Sequence, residues 1–558
     1  MMLCTRRFLS VAFAALLTGL AACGEDSVEP SGTPPAVPAG LAAAVVGPTR
    51  IDVTWSAVTG ATSYRLERAD ASAPGVFAQV GGSLAAPEFD DNTVTAGGTY
   101  SYRVAAINAN GTSAFSAAVT AAAPGLKVAD LTGNLTADRT LFKDTLYTLK
   151  GYVKVANNAT LTIQAGTRIV GDFETKGSSL WILPGSKIVA NGTAAEPIVF
   201  TSEQPVGSRK PGDWGGLLII GRGISSRSGS IRTEGPQGIT EIYSGGTDNA
   251  DNSGTLRYVR IEFAGYDVTG TGQELNSLSS YAVGKGTTYE YIQTLGGLDD
   301  SFEWWGGAVD GRYLVSYESG DDHFDWTEGY VGRNQYLIGF QSARIQPAAG
   351  TGGLSSDPQG FEGDGCPTGE AGCDNGNQQE PFSNPVFANF TLIGPGTATA
   401  ITSGGDNGIV LRRGTGGFFT HGIVARWQRQ GISVRDAFTS TQMTNDLLNV
   451  VNMLFAENAA NYDGDAGTNF GKAAAFAADN HVTSGATAAS LFASLSPAAF
   501  DWTPAAGSPA ATVATPIAIP AGYTAAYFGG TLTAGTHFGA AAPAGPKWWE
   551  GWTSYAQN

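Results

Sequence analysis

Two acidic-aromatic segments of the chain contain residue types that bind ligands or carry out acid–base chemistry. LDDSFEWWGG occupies residues 298–307, and GDDHFDWTEG occupies residues 320–329. Asp299 and Asp321 are equivalent positions, 22 residues apart. Clustered carboxylates suit calcium, and carboxylates that share a proton can act as an acid–base pair. Either chemistry requires a fold that brings the two segments side by side.

The spacing predicts that the two segments are strands of successive coils. Alternate side chains of a strand point to opposite faces. If Phe302 and Phe324 point into the core of the coil, the residues of opposite phase on each strand face outward. Stacking in register places each outward residue about 5 Å from its equivalent in the next coil. Asp299 is then expected over Asp321, and Glu303 over Asp325. The side chains predicted to point outward are Asp299, Ser301, Glu303, Asp321, His323 and Asp325.

This outward face admits three interpretations, because like charges about 5 Å apart repel by roughly 3 kcal/mol at an effective dielectric constant of 20. A ligand-binding face would use Asp299, Glu303, Trp304, Asp321, His323, Asp325 and Trp326. Its metal ligands, for calcium, would be Asp299, Glu303, Asp321 and Asp325. A catalytic face would use Asp299, Asp300, Asp321, Asp322 and His323. On the third interpretation the acids are a solvated face, in which Asp300 and Asp322 accept local backbone N–H bonds.

The sequence around these segments repeats at intervals near twenty residues. ATLTIQAGTRI (159–169) and SSLWILPGSKI (178–188) align at a step of 19 residues, and Tyr291 precedes Tyr313 by 22. Short strand-like runs separated by Gly, Asn and Pro at such a period indicate a β-solenoid. Phe361-Glu362 is a candidate third rung, which would place Asp364 near the acidic face.

Several motifs together resemble those of bacterial right-handed parallel β-helix lipoproteins. They are GTAAEPIVFTS (192–202), GDWGGLLIIG (212–221), SGTLRYVRIEFAG (253–265), the two acidic segments, GIVLRRGTGG (408–417) and KWWEGWTSY (547–555). The resemblance covers most of residues 126–558. It implies an all-β fold with a right-handed parallel β-helix and an irregular C-terminal part. Parallel β-helices also include pectin-type lyases and polygalacturonases, which keeps a polysaccharide lyase or glycoside hydrolase as an alternative.

Residues 33–125 have the pattern of a separate antiparallel β-sandwich. IDVTWSAV (51–58) and SYRLERA (63–69) alternate, and GGTYSYRVAAINANG (97–111) ends in an Asn-Gly turn. The pattern resembles a fibronectin type III domain, with Tyr100 at the family's tyrosine corner. The aromatic residues predicted for its core are Trp55, Tyr64, Phe89, Tyr100 and Tyr102.

The N-terminus has the parts of an export signal. Arg6 and Arg7 precede an apolar run that ends at Leu20-Ala21-Ala22-Cys23. This arrangement resembles a bacterial lipoprotein signal, which implies a signal peptide over residues 1–22, lipidation of Cys23 and a tether over 23–32. The implied location is the outer membrane, with exposure at the cell surface as a further expectation. In an exported chain, the remaining cysteines Cys366 and Cys373 are expected to pair.

The net charge of −17 argues against nucleic acid as a partner, because a phosphate-binding surface needs Lys and Arg. Cations and neutral glycans suit the chain better. The expected function is therefore non-enzymatic capture of a glycan or other nutrient, with calcium as the candidate cofactor. The expected partners are the bilayer, through Cys23, and an outer-membrane transporter or surface protein. The alternatives are the polysaccharide-degrading enzyme and a structural adhesion component.

Overall fold

The computed structural model consists almost entirely of β-strands. It describes residues 32–268, 273–343, 345–396, 405–462 and 479–556. The predicted signal peptide, Cys23 and the tether as far as residue 31 lie outside the described residues. The chain divides into two compact units, Met1–Leu126 and Lys127–Asn558. No helix among the described residues has the length and apolar character needed to span a bilayer.

The first unit is an antiparallel sandwich of two sheets. Its strands are β1 (Ala42–Gly47), β2 (Arg50–Thr54), β3 (Ser63–Asp70), β4 (Ala78–Leu84), β5 (Glu88–Asp91), β6 (Thr99–Asn108), β7 (Gly111–Thr112) and β8 (Val119–Ala122). One sheet has the order β1-β2-β5, and the other contains β4, β3, β6, β7 and β8. Trp55 packs edge-on against Tyr64 in the core. The Tyr100 hydroxyl accepts a hydrogen bond from the Thr95 N–H at 2.8 Å, which is the geometry of a tyrosine corner.

The second unit is a parallel β-helix, and with the sandwich it confirms the predicted fold class. Its first strands are β9 (Lys127–Leu135), β10 (Arg139–Leu141), β11 (Thr145–Val155), β12 (Thr160–Ile163), β13 (Arg168–Gly171), β14 (Ser179–Ile182), β15 (Lys187–Asn191), β16 (Ile198–Ser202), β17 (Leu217–Ile220), β18 (Gly254–Glu262), β19 (Tyr266–Asp267), β20 (Glu274–Leu275), β21 (Leu278–Tyr281) and β22 (Thr288–Leu295). The next are β23 (Phe302–Trp305), β24 (Asp310–Tyr317), β25 (Phe324–Thr327), β26 (Arg333–Phe340), β27 (Gln359–Gly363), β28 (Val386–Ile393), β29 (Asn407–Leu411), β30 (Gly417–Thr420), β31 (Ile423–Ala425), β32 (Gln430–Val434), β33 (Leu448–Val451), β34 (Leu454–Ala456), β35 (Ala460–Tyr462) and β36 (Val482–Ser484).

Short elements complete the unit. They are the 3₁₀ turns Gly376–Gln378, Pro509–Ala511 and Ala521–Tyr523, the helices α1 (Ala437–Thr444) and α2 (Ala488–Leu491), and the strands β37 (Phe492–Ser494), β38 (Asp501–Pro504), β39 (Ala525–Tyr527) and β40 (Gly530–Thr531). The Ala-rich region, expected to be irregular, contributes β34, β35 and β36 to the coils, while residues 463–478 lie outside the described part of the chain.

Parallel pairing between coils gives the β-helix three faces. Sheet B, which carries the acidic segments, consists of β14, β17, β21, β23, β25, β27, β29, β32 and β35. The other two faces are joined at a corner, because β18, β22, β24, β26 and β28 each run through both. Apolar columns such as Leu278, Phe302, Phe324 and Phe361 fill the interior.

The corner is formed by residues in the left-handed backbone region. Tyr258, Tyr291, Tyr313 and Tyr336 have φ values of 49°, 56°, 60° and 61°. This conformation is uncommon for a bulky residue. The four rings stack on one another with centroid separations of 4.3, 4.5 and 5.2 Å, so coil-to-coil packing holds the strained backbone in place.

The last residues of the chain, 513–556, run back along this corner, and we call them the C-terminal strap. At one end the Asn452 side chain donates to the Thr515 carbonyl at 2.8 Å. At the other end Trp552 packs edge-on against Tyr258, 5.7 Å away. The strap therefore joins coils that are far apart in the stack.

Candidate functional site

The acidic segments lie on neighbouring strands of sheet B in the register that their spacing predicts. Glu303 is paired with Asp325, and Asp325 with Glu362 of the third rung. The Phe302 and Phe324 rings stack inside the coil with centroids 5.1 Å apart. Inward stacking of the phenylalanines places the carboxylates of the same strands together on the outer surface.

A cleft with a volume of about 560 Å³ covers this surface. Its walls come from loop 221–253, which precedes β18, and loop 364–385, which follows β27. The two loops are bonded to each other, because Arg227 Nε donates to the Ala371 carbonyl at 2.7 Å. The second loop is closed by the Cys366–Cys373 disulfide, as predicted. The cleft is lined by the carboxylates of Glu234, Glu274, Asp299, Asp300, Glu303, Asp321, Asp325, Glu328, Glu362, Asp364 and Glu370.

Three of the arginines in the cleft neutralise acids of its walls. Arg227 pairs with Glu328 at 2.8 Å. Arg412 pairs with Asp364 at 2.8 Å and also contacts Glu362. Arg413 pairs with Asp364 at 2.5 Å. The charges of Arg412 and Arg413 also oppose the rise that burial causes in the pKa of Asp325, but among the described residues none of these arginines forms an ion pair with an acid at the floor of the cleft.

The floor acids have few partners of their own. The Asp299 side chain is 8% exposed, and within the described residues its carboxylate makes no hydrogen bond or ion pair. Asp325 Oδ1 is inaccessible to solvent and has no hydrogen-bond partner there either. Glu303 Oε2 accepts one hydrogen bond, from Asn276 Nδ2 at 2.6 Å. The floor carboxylates are therefore largely shielded from solvent and have few hydrogen bonds to replace it.

Burial and mutual repulsion raise the pKa values of the floor acids. Burial raises the pKa of Asp299, and the nearby Glu274 and Asp321 carboxylates add to it. Burial also raises the pKa of Glu303 and Asp325, each of which has a neighbouring carboxylate as its next largest cause. Two unit charges 4.8 Å apart repel by about 3.5 kcal/mol at an effective dielectric constant of about 20. At neutral pH the cluster therefore favours bound protons or a bound cation.

Asp300 and Asp322 belong to a polar ladder that joins successive coils. Asp300 Oδ1 accepts the Asp322 N–H at 2.8 Å, and Asp322 Oδ1 accepts the Gln359 N–H. Gln359 Oε1 accepts the Asn407 N–H at 3.0 Å. The two aspartates were expected to accept local N–H bonds, but the donors belong to the following coil. Asp300 also lines the cleft, whereas Asp322 does not.

Three predicted ligand-binding side chains are wrongly assigned to this face. Trp304 and Trp326 are 1% and 0% exposed and lie in the interior, since they share the phase of Phe302 and Phe324. His323 precedes β25, where strand alternation does not yet apply, and it is 1% exposed. Its Nδ1 bonds to Ser316 Oγ at 2.5 Å, outside the cleft. Ser301, also predicted outward, is buried against Ser316 and Ser319.

Other residues of the cleft were not identified from the sequence. Trp305 shares the phase of Glu303, so strand alternation alone could have identified it. Its ring stacks on that of Tyr281, 3.9 Å away, and the two form an aromatic wall with Tyr243. Glu234 comes from loop 221–253, and no local sequence signal shows that this loop folds over sheet B.

A family model described as a pectate-lyase-like beta helix domain matches residues 133–503. The chain belongs to the pectate-lyase-like beta helix family. The matched segment contains sheet B, its acidic strands and both loops of the cleft. Membership in this family indicates a carbohydrate-related role. No curated protein matches the chain.

Several solved structures similar to a part of this chain are fibronectin type III modules. The chain is 18% identical to FN3tt, over 17% of this chain and 98% of that one, with a TM-score of 0.15. It is 27% identical to an Fn3-like protein from Clostridium thermocellum, over 17% of this chain and 99% of that one, with a TM-score of 0.16. The FN5 domain of Drosophila Lar is 24% identical, over 16% of this chain and 98% of that one, with a TM-score of 0.15.

Proposed function

We propose that the acidic cleft of sheet B captures a carbohydrate ligand without cleaving it, with a divalent cation as part of the site. The observation that carries this proposal is the pair of carboxylates, Asp299 and Asp325, that line the cleft without a hydrogen-bond partner among the described residues. Calcium is the expected cation, because it is bound by clustered carboxylate oxygens. The carbohydrate-related family supplies the class of ligand.

The other residues of the cleft fit such a ligand. Sugars present hydroxyl groups that bond to carboxylates, and apolar ring faces that pack on aromatic side chains. Asn276 holds the Glu303 carboxylate at the floor, while Trp305 and Tyr281 form the apolar wall beside it. The Arg412 and Arg413 ion pairs with Asp364 stabilise the opposite wall.

We also propose that the protein acts at the cell envelope. The sequence over residues 1–23 supports export and lipidation of Cys23, and the sandwich unit would serve as a spacer. The captured carbohydrate would then be passed to an outer-membrane transporter or a neighbouring surface protein. Radiolabelled palmitate incorporation tests the anchor: Cys23→Ser is expected to abolish labelling, and labelling that persists would refute it.

The test of capture is retention of polysaccharides from a neutral and acidic panel, measured in calcium and in a chelator. Wild-type protein is expected to retain a polysaccharide in calcium, whereas Asp299→Asn and Asp325→Asn are expected to retain at least tenfold less. Asp130→Asn is the matched control, because Asp130 is a half-exposed acid on β9, outside the cleft. Retention unaffected by both cleft variants would refute the assignment of the site.

A polysaccharide lyase or hydrolase is the second candidate, favoured by acids that hold protons near neutral pH. Burial raises the pKa of Glu362 to about 8, which suits a proton donor. Asp299, Asp300 and Asp321 would be the other acids of the reaction. Release of reducing ends or unsaturated products from the same panel, abolished by Asp321→Asn, would favour the enzyme. Absence of both binding and products would leave the structural adhesion role.

A further inference from the structure

We infer that the floor of the cleft holds two divalent cations that share the Asp300 carboxylate. The inference rests on the proposed cation-dependent capture and adds the number and arrangement of the ions. It concerns two groups of side chains at the floor, Asp299–Asp300–Asp321 and Asp300–Glu303–Asp325. The chemical class of ligand is a hard divalent cation of the size of calcium.

The geometry of both groups fits such an ion. In each group, one carboxylate oxygen from every residue lies within 4.8 Å of the others. Two oxygens bound to one calcium ion at 2.3–2.6 Å are at most about 4.6–5.2 Å apart, and three spread evenly around it are at most about 4.0–4.5 Å apart. Each group therefore needs only a small side-chain adjustment, at most, for all three oxygens to contact one ion. Magnesium binds oxygens at about 2.1 Å and requires them closer together.

A third group with the same spacing, Asp322–Asp325–Glu362, is already satisfied by the protein. The positively charged Arg412 side chain contacts Glu362 and balances the negative charge of its carboxylate. Asp322 Oδ1 accepts the Gln359 N–H as part of the polar ladder, and Asp322 does not line the cleft. The two groups joined by Asp300 therefore remain as the cation sites.

Each of these two sites contains a carboxylate that requires a partner. In the first site it is Asp299, which is 8% exposed and has no polar partner in the described chain. In the second it is Asp325, whose Oδ1 is inaccessible to solvent and has no hydrogen-bond partner among the described residues, although the positive charges of Arg412 and Arg413 act on it. Asp299 and Asp325 fall in separate groups of this spacing, so we assign an ion to each. Two divalent ions leave one formal negative charge on the five carboxylates, whereas one ion leaves three.

Asp300 is suited to bridge the sites because its position is fixed from both sides. Its N–H donates to Asn276 Oδ1 at 3.0 Å, and its own Oδ1 accepts the Asp322 N–H at 2.8 Å. Asn276 also holds Glu303 of the second site at 2.6 Å. The backbone of Asp300 is thus held by the Asn276 side chain of the preceding coil, and its carboxylate by the Asp322 N–H of the following coil.

The test is the stoichiometry of calcium binding to the full chain by isothermal titration calorimetry, after removal of metal with a chelator. Two ions per chain are expected for wild-type protein. Asp299→Asn and Asp325→Asn are each expected to leave one ion, and Asp300→Asn to weaken both at least tenfold. Glu362→Gln, which alters only the third group, is expected to retain two.

A second measurement reports the distance between the ions. Manganese at two equivalents per chain is expected to give an exchange-broadened electron paramagnetic resonance spectrum, which one equivalent in Asp325→Asn does not give. Circular dichroism of each variant checks that the fold is retained. One ion in wild-type protein, or loss of an ion in Glu362→Gln, would overturn the two-ion arrangement. Polysaccharide retention is measured separately in the same samples. Retention with only one bound ion would overturn the two-ion arrangement alone, whereas loss of retention in wild-type protein would overturn the proposed capture.

Discussion

The substitution Asp325→Asn is expected to stabilise the protein when no divalent cation is present. It keeps the size of the side chain and removes one charge from the floor of the cleft. Oxygens of Asp300 and Glu303 lie within 4.8 Å of an Asp325 oxygen. One such pair costs about 3.5 kcal/mol at an effective dielectric constant of about 20. Partial protonation and the attraction of Arg412 and Arg413 for Asp325 offset part of this cost, so we expect about 1–2 kcal/mol at pH 8.

The expected gain depends on pH. Burial and repulsion raise the pKa values of Asp325 and Glu303 above the ordinary values. A raised pKa in the folded state contributes stability that is complete below the ordinary value and is lost as the pH rises through the folded-state value. In chelator, wild-type protein should therefore lose stability between pH 5 and pH 8, and Asp325→Asn should lose less. Calcium should reverse the order, because the variant lacks a ligand.

The assay is urea unfolding of the full chain, followed by tryptophan fluorescence at both pH values in chelator and in calcium. Asp130→Asn is the matched control and should leave the midpoint unchanged in all four conditions. The interpretation assumes an unchanged slope of free energy against urea concentration. A variant less stable than wild-type protein at pH 8 in chelator would refute the view that these carboxylates repel one another without a partner.

Three further predictions concern other parts of the protein. Trp304→Ala should cost about 3–5 kcal/mol of unfolding free energy because the ring fills the interior, whereas Trp305→Ala should mainly reduce polysaccharide retention; equal effects on urea unfolding would contradict this. Removing the disulfide with Cys366→Ser and Cys373→Ser should weaken retention several-fold, because the loop that forms one wall of the cleft is no longer closed; unchanged retention would show that the loop holds its shape without it. Burial and His537 lower the pKa of His421 to about 4, so the contribution of His421 to the unfolding free energy should fall by up to about 1.4 kcal/mol per pH unit as the pH drops from 6.5 towards 4, opposite in sign to that of the cleft acids. His421→Asn, which tolerates the left-handed backbone, should remove this contribution, and identical urea melts of variant and wild-type protein across pH 4–7 would contradict it.

The register of the acidic strands was predictable because it depends on local periodicity. A repeat of 22 residues fixes which residues stack, and alternation fixes the face that each one occupies. Glu303 and Asp325 follow directly from those two rules, whereas Glu362 lies in a longer coil and was predicted from the Phe361-Glu362 pair. Trp304 and Trp326 were misassigned because their value as sugar-binding aromatics was put ahead of the same alternation.

The cleft was not predictable, because it depends on contacts between distant segments. Glu234 and Glu328 reach it from different coils, and Arg227 of loop 221–253 pairs with Glu328, 101 residues further along the chain. No local pattern reports that a loop folds over one face of a solenoid rather than another. The ion pairs between arginines and wall acids depend on how those loops fold. Which acids of the cleft are neutralised therefore could not be predicted from the sequence either.

The C-terminal strap has a consequence for the order in which the chain folds. Coils of a solenoid contact only their neighbours, so such a protein can fold progressively from one end. Here the corner at β18 and β22 is covered by residues synthesised much later: Arg260 donates to the Trp552 carbonyl and Gln293 to the Ser554 carbonyl, across 292 and 261 residues. Until the strap is synthesised, the Tyr258 and Tyr291 rings therefore lack their Trp552 contact. The strap thus makes completion of these coils depend on a segment that is distant along the chain.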